Sequence, residues 1–332
     1  MLVQSVSVFG MDTSHLVQAL FDMYPMHGTP TTLKSLTLAG IQVHSKEHAF
    51  SWPTSSFSGL VELDLNDLVG FASPLLNDLV TLLSNCRALN TLRLQGVNIH
   101  SNQREAHRAI SLPQLRLLEL GLLENNEGMR QLVELLSPGS HALDFRLHLA
   151  SLNYNGLAPH IRSLLTRSNT AYLTLKDFHS NSGDHFRSIL SAAPHLRALL
   201  LHDVSLSIGL NIFDGMLTPI NGLAKRFPQL QCLCLIFGDL SPAVIGQLER
   251  IATLSNIRNL VLWSCRFWKP PSSEPDDSDE EDSNGERWSP HLPQSARQLL
   301  LGRFEKVIVQ DTPLSRVRQG IDLSIQNLIT FD

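Results

Sequence analysis

The chain has 332 residues, 43% of them hydrophobic and 17% charged, which is enough to bury a continuous core and too apolar on average for a disordered chain. Its formal charge of -5 is concentrated in residues 270–287, where Glu274, Asp276, Asp277, Asp279, Glu280, Glu281, Asp282 and Glu286 face Arg287 alone. The rest is close to neutral and offers no basic face for nucleic acid, and no apolar run reaches the roughly 18 residues of a membrane span.

The first predicted element is Val3-Gln-Ser-Val6-Ser-Val8, and its outline returns down the chain. It recurs as Leu33-Lys-Ser-Leu36-Thr-Leu38, Leu60-Val-Glu-Leu63-Asp-Leu65, Leu89-Asn-Thr-Leu92-Arg-Leu94 and Leu115-Arg-Leu-Leu118-Glu-Leu120. A degenerate strand near Leu143–Leu147 and Thr170-Ala-Tyr-Leu173-Thr-Leu175 follow. Then come Leu196-Arg-Ala-Leu199-Leu-Leu201, Leu230-Gln-Cys-Leu233-Cys-Leu235, Ile257-Arg-Asn-Leu260-Val-Leu262 and Phe304-Glu-Lys-Val307-Ile-Val309. From residue 33 the steps are 27, 29 and 26 residues, and the step from 230 to 257 is again 27. Alternation inside each copy predicts a strand, and the fixed step predicts a repeat.

Between the strands, 3.6-residue periodicity predicts helices at His15–Met23, Ser73–Leu83, Met129–Leu136, Pro159–Leu165, His185–Ala192, Thr218–Arg226 and Pro242–Ala252. Ser73 is placed to cap its helix, with Pro74 in the first turn. Pro113, Pro194 and Pro228 stand before strands, where a residue without an amide hydrogen ends a helix.

The reading is α/β: a leucine-rich-repeat solenoid of horseshoe form, with parallel strands on the concave face and helices on the convex face. Residues 1–332 are expected to form a single domain of about 11 units, with a disordered acidic insert at 270–287. A doubly wound α/β domain would instead show continuous apolar strands. Between 196 and 230 the step lengthens to 34, which puts a longer loop over Val204–Leu217. Ser278, followed by Asp279-Glu280-Glu281, is a candidate phosphosite for an acid-directed kinase.

In Leu-x-x-Leu-x-Leu the fourth and sixth positions face the core, so the third, the fifth and the following residue face outward. Early outward positions are polar, and Glu62, Asp64, Arg93 and Glu119 form a polar patch. Later ones are apolar: Leu200, Cys232, Cys234, Ile236, Val261 and Trp263, with His202 beside them. Two readings of this second group stay open. It is an exposed docking patch anchored by Trp263, or a surface over which the 204–217 or 266–303 loops fold.

No phosphate-cradling glycine loop, His-Glu-x-x-His or Gly-x-Ser-x-Gly is present, so a binding protein is expected and not an enzyme, with no cofactor. Cys232-x-Cys234 has no second pair and the 14 histidines are scattered, so no metal site is expected. Without glycosylation sequons or an apolar leader, a cytoplasmic or nuclear location is expected.

Three stretches carry a resemblance: Phe57-Ser-Gly-Leu60-Val-Glu-Leu63-Asp-Leu65, Leu83-Ser-Asn-Cys86-Arg-Ala-Leu89 and Leu112-Pro-Gln-Leu115-Arg-Leu-Leu118-Glu-Leu120. Together with Ser137-Pro-Gly-Ser140, they make residues 30–265 resemble the leucine-rich region of F-box proteins expanded in mushroom-forming fungi. The resemblance implies a substrate-recognition domain for a ubiquitin ligase. In that family an F-box docks the Skp adaptor, and the repeats select the substrate. No Leu-Pro-x-Glu/Asp helix start precedes Val3, so a docking module lost or encoded upstream is expected. The alternative is a free-standing repeat scaffold or inhibitor with a protein partner and no ubiquitin link.

Overall fold

Every stretch carrying the alternating leucine pattern forms a strand, because period-2 apolar side chains give a pleated segment one face to bury. The computed structural model describes residues 5–10, 33–43, 52, 57–70, 72–101, 108–121, 127–148, 154–177, 183–203, 213, 229–268 and 288–310. The helices expected at His15–Met23 and Thr218–Arg226, the acidic tract 270–287 and Ser278 lie outside the described residues. The fold is α/β, and the chain divides into two compact units, Met1–Thr170 and Ala171–Asp332.

In the first unit, β1 (Ser5–Phe9), β2 (Ser35–Ala39), β3 (Glu62–Asn66), β4 (Thr91–Gln95), β5 (Leu117–Gly121) and β6 (Leu143–His148) lie side by side in chain order, all parallel. Their register puts Leu36, Leu63, Leu92, Leu118 and Phe145 opposite one another, and Leu38, Leu65, Leu94, Leu120 and Leu147 likewise. All ten side chains are fully buried. The register holds because a slip of one residue would send this whole row to the other face. The degenerate strand β6 follows the same phase, with Asp144, Arg146 and His148 outward.

Among the described residues three helices accompany these strands: α1 (Leu76–Asn85), α2 (Glu127–Leu135) and α3 (Tyr154–Arg167). They bury Leu79, Leu82 and Leu83, then Met129, Leu132 and Val133, then Ile161, Leu164 and Leu165. Helix α3 begins five residues before the predicted Pro159 start. Its last residue, Arg167, donates to the carbonyls of Leu136 and Glu134 at 2.9 and 3.0 Å and to that of Val133, covering carbonyls that the end of α2 leaves unpaired.

Two local expectations are corrected. Ser73 does not cap α1: its hydroxyl donates to the Leu68 carbonyl at 3.1 Å, and the capping position is Leu75, with no side-chain bond. The reason lies beyond the following strand, at His100. Pro74 O accepts the His100 amide and His100 O accepts the Leu76 amide, which holds this segment extended until the helix starts. Pro113 does not end a helix either. It follows the short strand Ile110–Leu112 and occupies the second position of a turn closed by the Leu115 amide on Leu112 O at 3.2 Å. Phe57–Leu60 and Cys86–Leu89 form the same turn before β3 and β4.

The second unit holds β7 (Thr170–Lys176), β8 (Ala198–His202), β9 (Cys232–Ile236), β10 (Asn259–Trp263) and β11 (Lys306–Gln310), again parallel and in chain order. Helices α4 (Gly183–Ser191), α5 (Pro242–Leu254) and α6 (Gln294–Leu301) accompany them. Ser241 caps α5 by accepting from the Val244 amide at 3.3 Å, and Pro242 occupies the first turn. Strands β8, β9 and β10 are buried at nearly every position. Such continuous apolar strands are those expected of a doubly wound sheet, yet strand order stays sequential here, without the reversal that creates a switch point.

In both units the residue after most strands adopts a left-handed backbone: Gly10, Gly40, Asp67 and Gly96, then Asp177, Asp203, Phe237 and Ser264. From Gly10 to Asp67 and from Asp177 to Ser264 the conformation turns the amide onto the last carbonyl of the following strand, as in Asp67 to Gln95 at 2.8 Å and Asp203 to Ile236 at 2.9 Å. Glycine and aspartate tolerate this geometry, whereas an aromatic residue such as Phe237 adopts it under strain.

Candidate functional site

The face of β1–β6 opposite the leucines is built by alternation alone, and register lines up its side chains. Thr37, Asp64, Arg93, Glu119 and Arg146 follow one another across five strands, a row in which charge alternates from Asp64 onward. Glu62, Asp64, Arg93 and Glu119 are therefore brought together as the polar patch the sequence indicates. Arg93 Nε lies 3.3 Å from Glu119 Oε2, and its other arm lies 3.9 Å from Asp64. Gln95 donates its amide to Glu119 Oε1 at 2.5 Å, and His148 Nε2 lies 3.1 Å from the same oxygen. Arg146 turns back on Asp144 with bonds of 3.1 and 2.8 Å to Oδ2.

Glu119 is the hub of this network and only 8% exposed. Burial pushes its carboxyl up, but the His148 hydrogen bond and charge, with the Arg146 and Arg93 guanidiniums, hold it below the usual carboxylate range. Asp64 goes the other way: burial raises its carboxyl, Arg93 pulls it down, and Glu119 and Glu62 push it up again. Gln95 and His148 belong to the patch although the sequence reading left them out of it. Their signal was positional, since Gln95 stands one outward position beyond Arg93, and His148 stands opposite Gly121.

The second unit differs. Leu200, Cys232, Cys234, Ile236, Val261 and Trp263 do share one face, together with Ala198, and Tyr172, Phe237 and Ile308 pack against them. They are buried, however. Of the seven residues read as a docking patch, only His202 is part-exposed, and its ring meets Phe237 edge-on at 5.2 Å. An apolar sheet face is stable only out of water, and the structure shows it covered. Trp263 is 4% exposed, and its Nε1 has no hydrogen-bond partner among the described residues.

All four cysteines are buried. Burial raises the Cys232 thiol to about 11 and Cys234 well above the ordinary thiol value, so neither is a thiolate at neutral pH. Among the described residues no group of three His, Cys, Asp or Glu is arranged to hold a metal ion, and no helix is long and apolar enough to cross a membrane. Compared with models of protein families the chain matches none, and a search of curated proteins returns no match.

Proposed function

We propose that this chain is a leucine-rich-repeat solenoid of horseshoe type that binds another protein through the outward face of β1–β6. One observation carries the reading: parallel strands hold an ordered row of polar side chains, with part-exposed Asp64 and Arg93 in register with a buried Glu119. Such a face is fixed by the leucine core beneath it, so a partner meets groups already positioned and binding loses little ordering entropy. Nothing in the row has the nucleophile–base arrangement of a catalytic site, which favours binding over catalysis.

A benzophenone side chain at Thr37, on this face, tests the reading against one at Thr166, on the exposed side of α3. Irradiation in the chain's own cells is expected to cross-link a protein at Thr37 and not at Thr166. Equal labelling at both, or none at Thr37, overturns the reading. The narrower role, substrate recognition for a Skp-linked ubiquitin ligase, is supported by the resemblance to F-box repeat regions. It requires that the cross-linked partner accumulate when the chain is depleted. A partner of unchanged abundance makes the chain a scaffold or inhibitor instead.

A further inference from the structure

We infer that the β1–β3 part of this face receives a basic segment of the partner, an extended stretch with arginine or lysine set three or four residues from an apolar side chain. The inference rests on the protein-binding reading above. It starts from the charges of the outward row. Its cations are already engaged: Arg146 bonds to Asp144, and the Nε of Arg93 is on Glu119, where Gln95 and His148 converge as well. Asp64 is left with the far arm of Arg93 at 3.9 Å. Glu62, on the same strand face and exposed, has no ion-pair partner among the described residues.

Toward β1 the outward positions are the hydroxyls of Ser35, Thr37, Ser5 and Ser7, and Lys34 beside them gives its ammonium to the Gly59 carbonyl at 3.3 Å. The region is therefore an open sheet face with two under-neutralised carboxylates. Burial raises the Asp64 carboxyl first, Arg93 lowers it, and the Glu119 and Glu62 charges raise it again; that repulsion between carboxylates is the part an incoming cation offsets. At the end of β1 stands Phe9, 67% exposed on the same face. Phe9 lies two strands and two residues from Asp64, about 12 Å at ordinary sheet spacings, or roughly three to four residues of extended peptide. An arginine on the carboxylates thus places an apolar neighbour over the Phe9 ring.

The test uses the full chain and a fluorescent decapeptide carrying two adjacent arginines and a leucine three residues on, against its citrulline twin, which keeps the shape and loses the charge. In 0.1 M salt the arginine peptide is expected to bind about tenfold more tightly. Glu62→Gln with Asp64→Asn should erase that difference, and so should Thr37→Lys, which supplies a cation opposite Asp64. Phe9→Ala should weaken both peptides. Amide replacement of the eight acids in residues 274–286 should leave the difference in place. The inference is overturned if the preference survives both face variants, if it disappears with the acidic tract, if Phe9→Ala changes nothing, or if the two peptides bind alike. Should Thr37 cross-link a partner segment free of arginine and lysine, the basic-segment inference falls while the protein-binding reading stands.

Discussion

Replacing Trp263 by alanine should destabilise the chain by about 3 kcal/mol. A buried tryptophan removes about 150–250 Å² from water, which at about 25 cal/mol per Å² is roughly 4–6 kcal/mol. Measured truncations of buried aromatics fall a little lower, about 3–5 kcal/mol. One term opposes this, because the indole N–H is buried without an acceptor, and an unsatisfied donor costs about 1–3 kcal/mol that deletion recovers. Trp263→Phe separates the two, since it keeps most of the ring and drops the donor, so its stability should lie within about 1 kcal/mol of the natural chain. Urea unfolding followed by circular dichroism gives the order. Alanine equal to the natural residue would mean that the indole is a surface anchor, and phenylalanine as costly as alanine would mean that the N–H does have an acceptor.

Glu119→Gln should lose about 2–3 kcal/mol at pH 7, by leaving Arg93 and His148 without their carboxylate. Its folded pKa lies below the unfolded value, so the stabilisation is complete above the unfolded value and lost as pH falls through the folded one. The gap between natural and variant midpoints in urea should therefore narrow as pH falls below about 4, and a gap of unchanged size throughout the acid range contradicts the network. Asp64→Asn has the opposite sign. Its raised carboxyl opposes folding when ionised, so the variant should match or exceed the natural chain at pH 7 and lose any advantage in acid. Gly96→Ala puts a Cβ 2.1 Å from Asp67 Oδ1 at φ +57°; a loss of about 2 kcal/mol is expected in thermal melts, partly regained when Asp67→Ala is added. Arg167→Ala should lose about 1–3 kcal/mol with the carbonyls it caps, and Arg167→Lys should recover little because the fork is lost.

The strands and their outward residues were legible because period and register are properties of neighbouring residues: once Leu36 and Leu38 point inward, Ser35 and Thr37 cannot. Helices were legible by their apolar stripe but not at their ends. The Ser73 position shows why, since the start of α1 is decided by His100, beyond the following strand β4. The same distance effect hid the fate of the apolar face. Nothing within β9 or β10 says whether Cys234 and Trp263 meet water. The left-handed positions were half visible, where glycine or aspartate follows the strand, and invisible at Phe237 and Ser264, where an unsuited residue is held by the amide bond to the next strand.

The two outward faces follow from one rule applied to different residues. A parallel strand whose alternate positions are polar can leave one side open to solvent, and β3 to β6 do so with polar pairs across the strands. Strands apolar at nearly every position, β8 to β10, are buried on both sides. Interaction through the second unit's sheet would first require exposing Leu200, Val261 and Trp263 to water, whereas the first unit offers its row without rearrangement. On the protein-binding reading proposed above, a partner that only has to displace water docks on the first unit, and the uneven use of the Arg93 guanidinium between Glu119 and Asp64 marks the side from which a cation can approach.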